Sequence, residues 1–259
     1  RQYNHTTINR LHHIVMTMIL AVLMSALPLA PFVQGFQSNS VITRRDFQLG
    51  ALPKEQLLKL AQDYIANPTP DSLAEDFVFR GPVIGPLNKI DFVATLTSVG
   101  SGKNSLASAF PDLQANVFGL TADDPVEPNR VWYFTRPNAT FTQPFDHPVV
   151  GTIEPTGAAY IAPPEARSII FNDDGKVRYQ SVGYVSDRFT GDTTGGRGAV
   201  FGQYAVMGQE IDATVGSPIT TLLQKLADIL PDSVGFPKSY SSKESVPSWW
   251  KDPRMGAEK

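Results

Sequence analysis

The sequence predicts an α+β fold in which N-terminal helices pack against a curved antiparallel sheet and further helices follow that sheet. Residues 53–67 and 88–99 repeat apolar side chains at helical spacing. Between residues 115 and 188 the chain alternates short extended stretches with turn residues, and residues 172–175 (NDDG) form a hairpin signal. Helices followed by a run of strands are typical of α+β folds rather than of βαβ units with a parallel sheet.

Each element has its own start and stop signals. Pro53 begins the first helix and Asn67-Pro68 ends it. The other helices are expected at 71–75, 88–99 (apolar face Ile90, Phe92, Val93, Leu96 and Val99), 105–110, 198–208 and 218–230. Strands are expected at 77–80, 115–121, 130–135 with a continuation at 139–143, 167–171 and 176–188, and the proline-rich stretch 145–165 is expected to be an insertion or a long loop.

Composition excludes several classes of site. The net charge is −3 and the sequence shows no basic stripe, so a nucleic-acid surface is not expected. The chain has no cysteine, which rules out disulfides, thiolate metal ligands and a cysteine nucleophile. Hydrophobic residues make up 42% of the chain, enough for an ordinary core.

The first 49 residues have the pattern of a targeting segment. A basic start precedes an apolar run at 14–33, in which Pro28 and Pro31 favour a cleaved signal peptide over a retained membrane helix. The following stretch is rich in arginine and serine, as plastid transit peptides are. A signal peptide followed by a phenylalanine and a transit-like stretch resembles the bipartite presequence of algae with secondary plastids. Arg44-Arg45 leaves twin-arginine export to the thylakoid lumen as an alternative to the stroma.

The chain therefore divides into three predicted parts. Residues 1–49 form the targeting segment, residues 50–230 form one α+β domain, and residues 231–259 form an extended C-terminal tail with an aromatic anchor at Trp249-Trp250. The glycine-rich stretch 191–198 lies between a strand and a helix but lacks the Gly-Lys-Ser/Thr ending of a phosphate loop, so it is interpreted as a flexible connection.

Three segments together resemble the SnoaL-like branch of the nuclear transport factor 2-like superfamily. They are the helix LLKLAQDYIAN, the stretch DFVFRGPVIGPLNKIDFVATL, and the closing hairpin at 171–177 followed by Tyr184 and Asp187. The resemblance implies a cone-shaped fold around a pocket for a small apolar molecule. It also implies a homodimer and, if the protein is an enzyme, proton-transfer chemistry of the cyclase, isomerase or hydratase type without metal or cofactor. Because such a fold hosts many functions, it does not name a reaction.

Three residues are candidates for catalysis. His147 follows Asp146, and a histidine beside a carboxylate is the usual general base. Asp187 closes the long strand, where strict alternation places it on one face with Tyr179, Ser181, Gly183 and Val185. The resemblance nominates Asp187, and with it Asp76, as the pocket acid, with Tyr184 as a polarising donor. The alternative is that Asp187 ends the strand at the surface and that His147 belongs to a loop without chemistry.

Five further residues are candidates for ligand binding. Trp132, Phe134 and Tyr179 are large side chains on predicted strands and are expected to line an apolar pocket. Arg80 and Arg167 are expected to anchor a carboxylate or phosphate. Core packing is the alternative for the aromatic residues, and solvent exposure or a salt bridge for the arginines. The rival function is a non-catalytic scaffold that docks on a plastid membrane complex through Trp249-Trp250.

Overall fold

The computed structural model describes residues 51–100, 103–147, 150–187, 191–209, 211–212, 214–229 and 238–251. The predicted signal and transit-like segment, residues 1–49, lies outside the described residues. Within the described part, no helix is long and apolar enough to cross a membrane.

Helices occupy the two ends of the described chain, as the sequence predicts. They are α1 (Lys54–Ala66), a 3-10 turn (Pro70–Ser72), α2 (Lys89–Gly100), α3 (Leu106–Ala109), α4 (Ala199–Val206), α5 (Pro218–Ile229) and α6 (Ser248–Lys251). Asn88 caps α2 by accepting a hydrogen bond from the Asp91 N–H at 2.9 Å. Ile90, predicted to lie on the apolar face of α2, is instead 78% exposed, because it sits in the first turn, outside the packed stripe.

In the part of the chain that the structure describes there are ten strands, two between α1 and α2 and eight between α3 and α4. They are β1 (Leu73–Arg80), β2 (Leu87–Asn88), β3 (Val117–Thr121), β4 (Arg130–Thr135), β5 (Asn138–Thr140), β6 (Phe145–His147), β7 (Gly151–Ile153), β8 (Ala159–Ile161), β9 (Glu165–Phe171) and β10 (Val177–Val185). Six of them form the main sheet in the order β2-β1-β10-β9-β4-β3. The class is therefore α+β with a curved, mainly antiparallel sheet, as expected.

One strand pair departs from the antiparallel prediction. β1 and β10 run parallel, with Val78 opposite Tyr179 and Arg80 opposite Ser181. The departure arises because β10, the last strand, inserts between β9 and the first strand instead of adding at an edge. A pattern of single strands does not reveal such an insertion.

The inner face of the main sheet carries the principal core. Val131 and Tyr133 of β4 lie opposite Ile169 and Arg167 of β9, and their side chains point toward α1. The inner core consists of Leu57, Ala61, Tyr64, Leu73, Phe77, Leu87, Phe92, Val131, Tyr133, Ile169, Phe171 and Val177. Burial of these apolar side chains on one face drives the packing of α1 and α2 against the sheet.

The outer face of the main sheet is covered in part by the chain's own C-terminal arm, residues 238–251. Val246 and Trp250 of the arm pack against Val78, Ile170 and Tyr179. The Trp250 and Tyr179 rings stack with centroids 5.8 Å apart. The described part of the tail thus follows the sheet surface, with the tryptophans as its anchor.

A second core lies beside the sheet and fills the segment predicted to be an insertion or long loop. Residues 138–161 form two small hairpin sheets, β5 with β8 and β6 with β7. Their apolar side chains pack with α3 and α4 into a cluster of Leu106, Ala109, Phe110, Ala139, Phe141, Phe145, Tyr160, Ala162, Tyr204 and Met207. The predicted continuation of β4 at 139–143 therefore belongs to a separate sheet, because the chain leaves the main sheet at residues 136–137.

Two further boundaries differ from the sequence prediction. The helix expected at 71–75 is a single 3-10 turn that ends at Ser72, and β1 starts directly after it at Leu73. The alternation predicted for β10 breaks between Ser181 and Tyr184, where the register slips by one residue. Gly183 has a φ of 77° at this point, and a glycine in that conformation makes a β-bulge. After the bulge, Val185 pairs with Glu165 and faces inward, opposite to Tyr179 and Ser181.

Candidate functional site

A charged pair lies on the inner face of the sheet, at the seam between the two cores. Glu165 and Arg167 alternate on β9 with the same orientation as Ile169 and Phe171, which belong to the inner core. The Glu165 side chain is 0% exposed and the Arg167 side chain 21% exposed. Arg167 Nη2 donates to Glu165 Oε2 at 2.7 Å. The pairing lowers the cost of burying both charges, which is several kcal/mol for each unpaired ion.

The Arg167 guanidinium is not fully used by this pair. Its Nε is buried and has no hydrogen-bond partner among the described residues. An arginine has five N–H donors, and a buried donor without an acceptor costs about 1–3 kcal/mol. Arg167 therefore keeps one buried donor that no described residue accepts.

A second unpaired group lies beside it. Thr135, the last residue of β4, pairs with Glu165 across the sheet and is only 2% exposed. Within the part of the chain that the structure describes, its hydroxyl oxygen has no hydrogen-bond partner either. Because cross-strand partners point to the same face, the Thr135 hydroxyl and the Arg167 Nε lie on the same side of the sheet. Each of the two groups can hydrogen-bond an acceptor oxygen that reaches it.

Two tyrosines extend the polar region along the inner face. Tyr133 lies opposite Arg167, and burial raises the pKa of the Tyr133 phenol, while the hydrogen bond and positive charge of Arg167 oppose that rise. Tyr64 of α1 donates to Gln180 Oε1 at 2.7 Å. Burial, reinforced by the neighbouring Tyr133, raises the pKa of Tyr64 above its ordinary value. Both phenols therefore stay protonated at neutral pH, and the single O–H of Tyr64 is already donated to Gln180.

The second carboxylate oxygen of Glu165 holds α4 in place. The Ala199 N–H, at the start of that helix, donates to Glu165 Oε1 at 2.5 Å. A carboxylate at a helix N-terminus is favoured by the orphan N–H groups and the helix dipole. Gly198, the N-cap residue, leaves room for this contact, since a Cβ there would lie 3.0 Å from Glu165 Oε1.

Tyr160 closes the cluster from the side of the second core. Burial raises the pKa of Tyr160, and the negative charge of Glu165 adds to that rise while Arg167 opposes it. Its hydroxyl donates to the Ala199 carbonyl at 3.4 Å. The candidate site is thus a polar stripe between two apolar cores, formed by Tyr64, Tyr133, Thr135, Tyr160, Glu165, Arg167 and Gln180.

Most of the ligand-binding residues predicted from the sequence lie on the outer face instead. Trp132 and Phe134 alternate with Tyr133 on β4 and point away from the inner core. Trp132 donates through Nε1 to Asp124 Oδ2 at 2.7 Å. Phe134 stacks on Phe118, with centroids 5.5 Å apart. Of the five residues predicted to bind a ligand, Arg167 belongs to the inner polar stripe and the other four lie on the outer face.

Tyr179 and Arg80 also belong to the outer face. Tyr179 lies under the C-terminal arm, with Arg130 over its ring at 5.6 Å. Arg80 alternates with the inner-core Phe77 and Phe79 and donates through Nη1 to the Gly85 carbonyl. The guanidinium of Arg80 was predicted to anchor a ligand, and in the structure it holds the loop that follows β1.

The predicted catalytic residues are spread over three places. Tyr184 is 40% exposed, pairs with Ala166 on the outer face and donates to the Gly81 carbonyl at 3.4 Å. Asp187 is half-buried and follows the end of β10 by two residues, beyond the alternation of the strand. His147 ends β6 in the second core region, where burial lowers the pKa of its imidazole. The structure does not bring these three residues together.

The neighbouring acids have other partners. Asp146 accepts from the Thr152 hydroxyl at 2.7 Å and from the Asn104 amide at 3.0 Å, so its carboxylate joins β7 to the segment before α3. His147 Nδ1 accepts from the Val150 N–H at 3.2 Å. Asp76 forms an ion pair with Arg178 at 2.8 Å on the side covered by the arm. Among the described residues, no group of three histidine or acidic side chains is placed to hold a metal ion.

The sequence contained a signal for the inner stripe that the prediction did not use. In EARSIIF, the two charges occupy the same alternation as Ile169 and Phe171. Charged residues in register with core residues must be paired or functional, because an unpaired buried charge is too costly. The same alternation in RVWYFT places Val131, Tyr133 and Thr135 on one face of the strand and Trp132 and Phe134 on the other.

No protein-family model matches the chain, and no curated protein matches it either. Among the solved structures similar to it is a candidate SnoaL-like polyketide cyclase from Jannaschia sp. CCS1, with 16% sequence identity and a TM-score of 0.37 over 55% of this chain and 90% of that chain. A candidate hydroxylase from Streptomyces galilaeus has 22% identity and a TM-score of 0.34 over 49% of this chain and 82% of that chain. A phenazine biosynthesis-related protein from Pseudomonas aeruginosa has 13% identity and a TM-score of 0.36 over 76% of this chain and 98% of that chain. Similarity at this level assigns neither a family nor an activity to the chain.

Proposed function

We propose that the protein is a SnoaL-like domain that binds a small, mainly apolar molecule on the inner face of its sheet. The ligand's polar end would sit between Arg167 and Thr135, and its apolar body would lie along the half-buried side chains that border the inner core. The observation that carries the proposal is the pair of buried, unpartnered groups, Arg167 Nε and Thr135 Oγ1. Native proteins leave few such groups without a functional reason.

The surroundings of these two groups suit a small ligand. Sites for small molecules are mostly apolar and contain a few polar groups that fix orientation. Here Phe79, Ile84, Val117 and Leu120 are half-buried against the inner core. A ligand oxygen that accepts from Arg167 would restore the hydrogen bond that the free protein lacks, so binding would recover a desolvation cost of about 1–3 kcal/mol.

If the ligand is transformed, the reaction we propose is proton transfer in a cyclisation, isomerisation or hydration. The protonated phenol of Tyr133 would polarise a carbonyl oxygen, and Arg167 would stabilise the negative charge that develops on it. Asp187 and His147 remain the proposed bases. Turnover that is unchanged when both are replaced by alanine would remove them from the mechanism.

Binding is tested with 2-acetonaphthone, a neutral ketone on an apolar ring system, by isothermal titration calorimetry. The wild-type protein should bind it saturably, and Arg167→Met should lose that binding. Arg178→Met is the matched control, because Arg178 is also a partly exposed arginine in an ion pair, but with Asp76 under the C-terminal arm. Thr135→Val, which keeps the shape of the side chain, should weaken binding without unfolding the protein. Equal binding by all four proteins would overturn the proposal.

The proposed compartment is a plastid, the stroma with the thylakoid lumen as the alternative. Its support is the apolar run at 14–33 followed by the arginine- and serine-rich stretch before residue 50. A fluorescent protein fused after residue 50 of this chain should accumulate in the plastid, and replacing Arg44 and Arg45 by lysine should distinguish lumen from stroma. Retention of the fusion in the cytosol would overturn the proposal.

The second candidate function, a scaffold on a plastid membrane complex, has less support. It was suggested by Trp249-Trp250, yet Trp250 is buried against Tyr179 and Trp249 donates to the Asp76 carbonyl at 2.8 Å. Fractionation separates the two functions. A scaffold should co-purify with a large complex and lose that association when the chain ends at Pro231, while its elution volume also tests the expected homodimer.

A further inference from the structure

The inner polar stripe contains a positive charge that is already balanced. Arg167 is the residue with the open donor, and its guanidinium is paired at 2.7 Å with the fully buried carboxylate of Glu165. A ligand carboxylate at the Arg167 Nε would therefore join a site whose charges cancel. It would bring one uncompensated negative charge into the seam between two apolar cores, which is unfavourable.

A neutral oxygen has no such penalty. A ketone, ester or amide carbonyl accepts hydrogen bonds from Arg167 Nε and the Thr135 hydroxyl without changing the net charge of the site. Glu165 cannot swing away to make room for an anion, because its other oxygen accepts the Ala199 N–H at the start of α4. The Gly198 backbone lies close to the carboxylate on that side, since a Cβ on Gly198 would lie 3.0 Å from Oε1.

We infer that Glu165 is a specificity-determining residue that makes the site accept neutral carbonyl compounds and reject carboxylates. This inference rests on the proposed small-molecule site and gives the polar end of its ligand. It also reverses the sequence-based expectation that Arg167 anchors a carboxylate or phosphate. Glu165 balances the charge of Arg167 and is itself held by the start of α4. The ligand oxygen would be bound by the two unpartnered groups, Arg167 Nε and Thr135 Oγ1.

The test compares two probes of the same shape, 2-acetonaphthone and 2-naphthoate, by isothermal titration calorimetry at pH 7.5. The wild-type protein should bind the ketone at least about tenfold more tightly than the carboxylate, because the anion carries an uncompensated charge. In Glu165→Gln the positive charge of Arg167 is no longer balanced, so the preference should shrink or reverse in favour of 2-naphthoate.

The control for Glu165→Gln is Glu127→Gln, a substitution in the turn before β4, which should leave the preference of the wild-type protein unchanged. Circular dichroism establishes whether Glu165→Gln is folded. If it is not, the wild-type comparison still decides. A carboxylate that binds the wild-type protein as tightly as the ketone overturns the role of Glu165 but leaves the small-molecule site intact. If neither probe binds, the proposed site and this inference both fall.

Discussion

Ala199 donates its backbone N–H to the buried carboxylate of Glu165, although Ala199 itself has a left-handed backbone conformation with a φ of 48°. A non-glycine residue in that region costs about 1–2 kcal/mol. The hydrogen bond to Glu165 offsets this cost, and Glu165 in turn forms the ion pair with Arg167. One hydrogen bond thus connects the start of α4 to the ion pair of the inner polar stripe.

Gly198→Ala tests this connection. The new Cβ would approach Glu165 Oε1 to 3.0 Å, while the backbone of Gly198 at φ −93° is allowed for alanine, so the effect is steric. We expect a loss of about 1–2 kcal/mol in the free energy of unfolding, measured by urea denaturation. Ala199→Gly is the control in the same turn and should not destabilise the protein, because glycine tolerates the positive φ. Equal stability of wild type and Gly198→Ala would show that Glu165 does not hold α4.

Thr135→Val should separate stability from binding. The substitution removes a buried hydroxyl that has no hydrogen-bond partner and keeps the shape of the side chain. The free energy of unfolding should therefore rise by about 1 kcal/mol in the free protein, while the affinity for 2-acetonaphthone falls. Thermal unfolding with and without the ketone measures both effects. A less stable Thr135→Val protein would mean that the hydroxyl has a partner in solution.

Alkaline pH should destabilise the protein through its buried tyrosines. Burial raises the pKa of Tyr64, Tyr133 and Tyr160 above the ordinary value of 10.0. The native state therefore keeps protons that the unfolded chain releases above about pH 10. The stabilisation is complete below that pH and is lost as the pH rises toward the higher native pKa values.

The measurement is the melting temperature between pH 8 and pH 11, together with the tyrosinate absorbance at 295 nm. Native protein should show a fraction of its tyrosines ionising only when the chain unfolds. Tyr133→Phe should have a shallower decline of the melting temperature. A melting temperature that stays constant to pH 11 would contradict the burial of these phenols.

The C-terminal arm should contribute to stability through Trp250. Its ring is 8% exposed and stacks on Tyr179 at 5.8 Å. Trp250→Ala should lower the free energy of unfolding by about 3 kcal/mol and detach the arm, seen as increased proteolysis after residue 238. Lys243→Ala, in an exposed part of the arm, should leave both unchanged. An unaltered cleavage rate in Trp250→Ala would show that the arm is held elsewhere.

Much of the fold could be predicted from the sequence because local signals dominate it. The bounds of α1 follow from Pro53 and Asn67, and β4 follows from the run RVWYFT. The parallel pairing of β1 with β10 could not be predicted, because it depends on the order of the strands in the sheet, which the pattern of a single strand does not contain. The bulge at Gly183 reversed the faces assigned to the end of β10 for a similar reason, because one inserted residue inverts every side chain after it.

The candidate site was harder to predict than the fold. Counting aromatic residues favoured Trp132, Phe134 and Tyr179, but the alternation within each strand places them on the outer face. Arg167 was found because an arginine on a strand is conspicuous. Its partners were missed because Glu165 lies at the edge of a proline-rich stretch and Thr135 is an ordinary strand residue. Unpartnered donors become visible only when the three-dimensional neighbours are known.

The parallel pair of β1 and β10 constrains how the domain is produced. A chain that emerges from a ribosome or crosses a membrane N-terminus first delivers β1 long before β10, its principal partner. Until then β1 has the two-residue strand β2 as its only early neighbour in the sheet. Such long-range pairings form slowly and leave strand edges open in the meantime. The main sheet can therefore close only after the chain has been made as far as Val185.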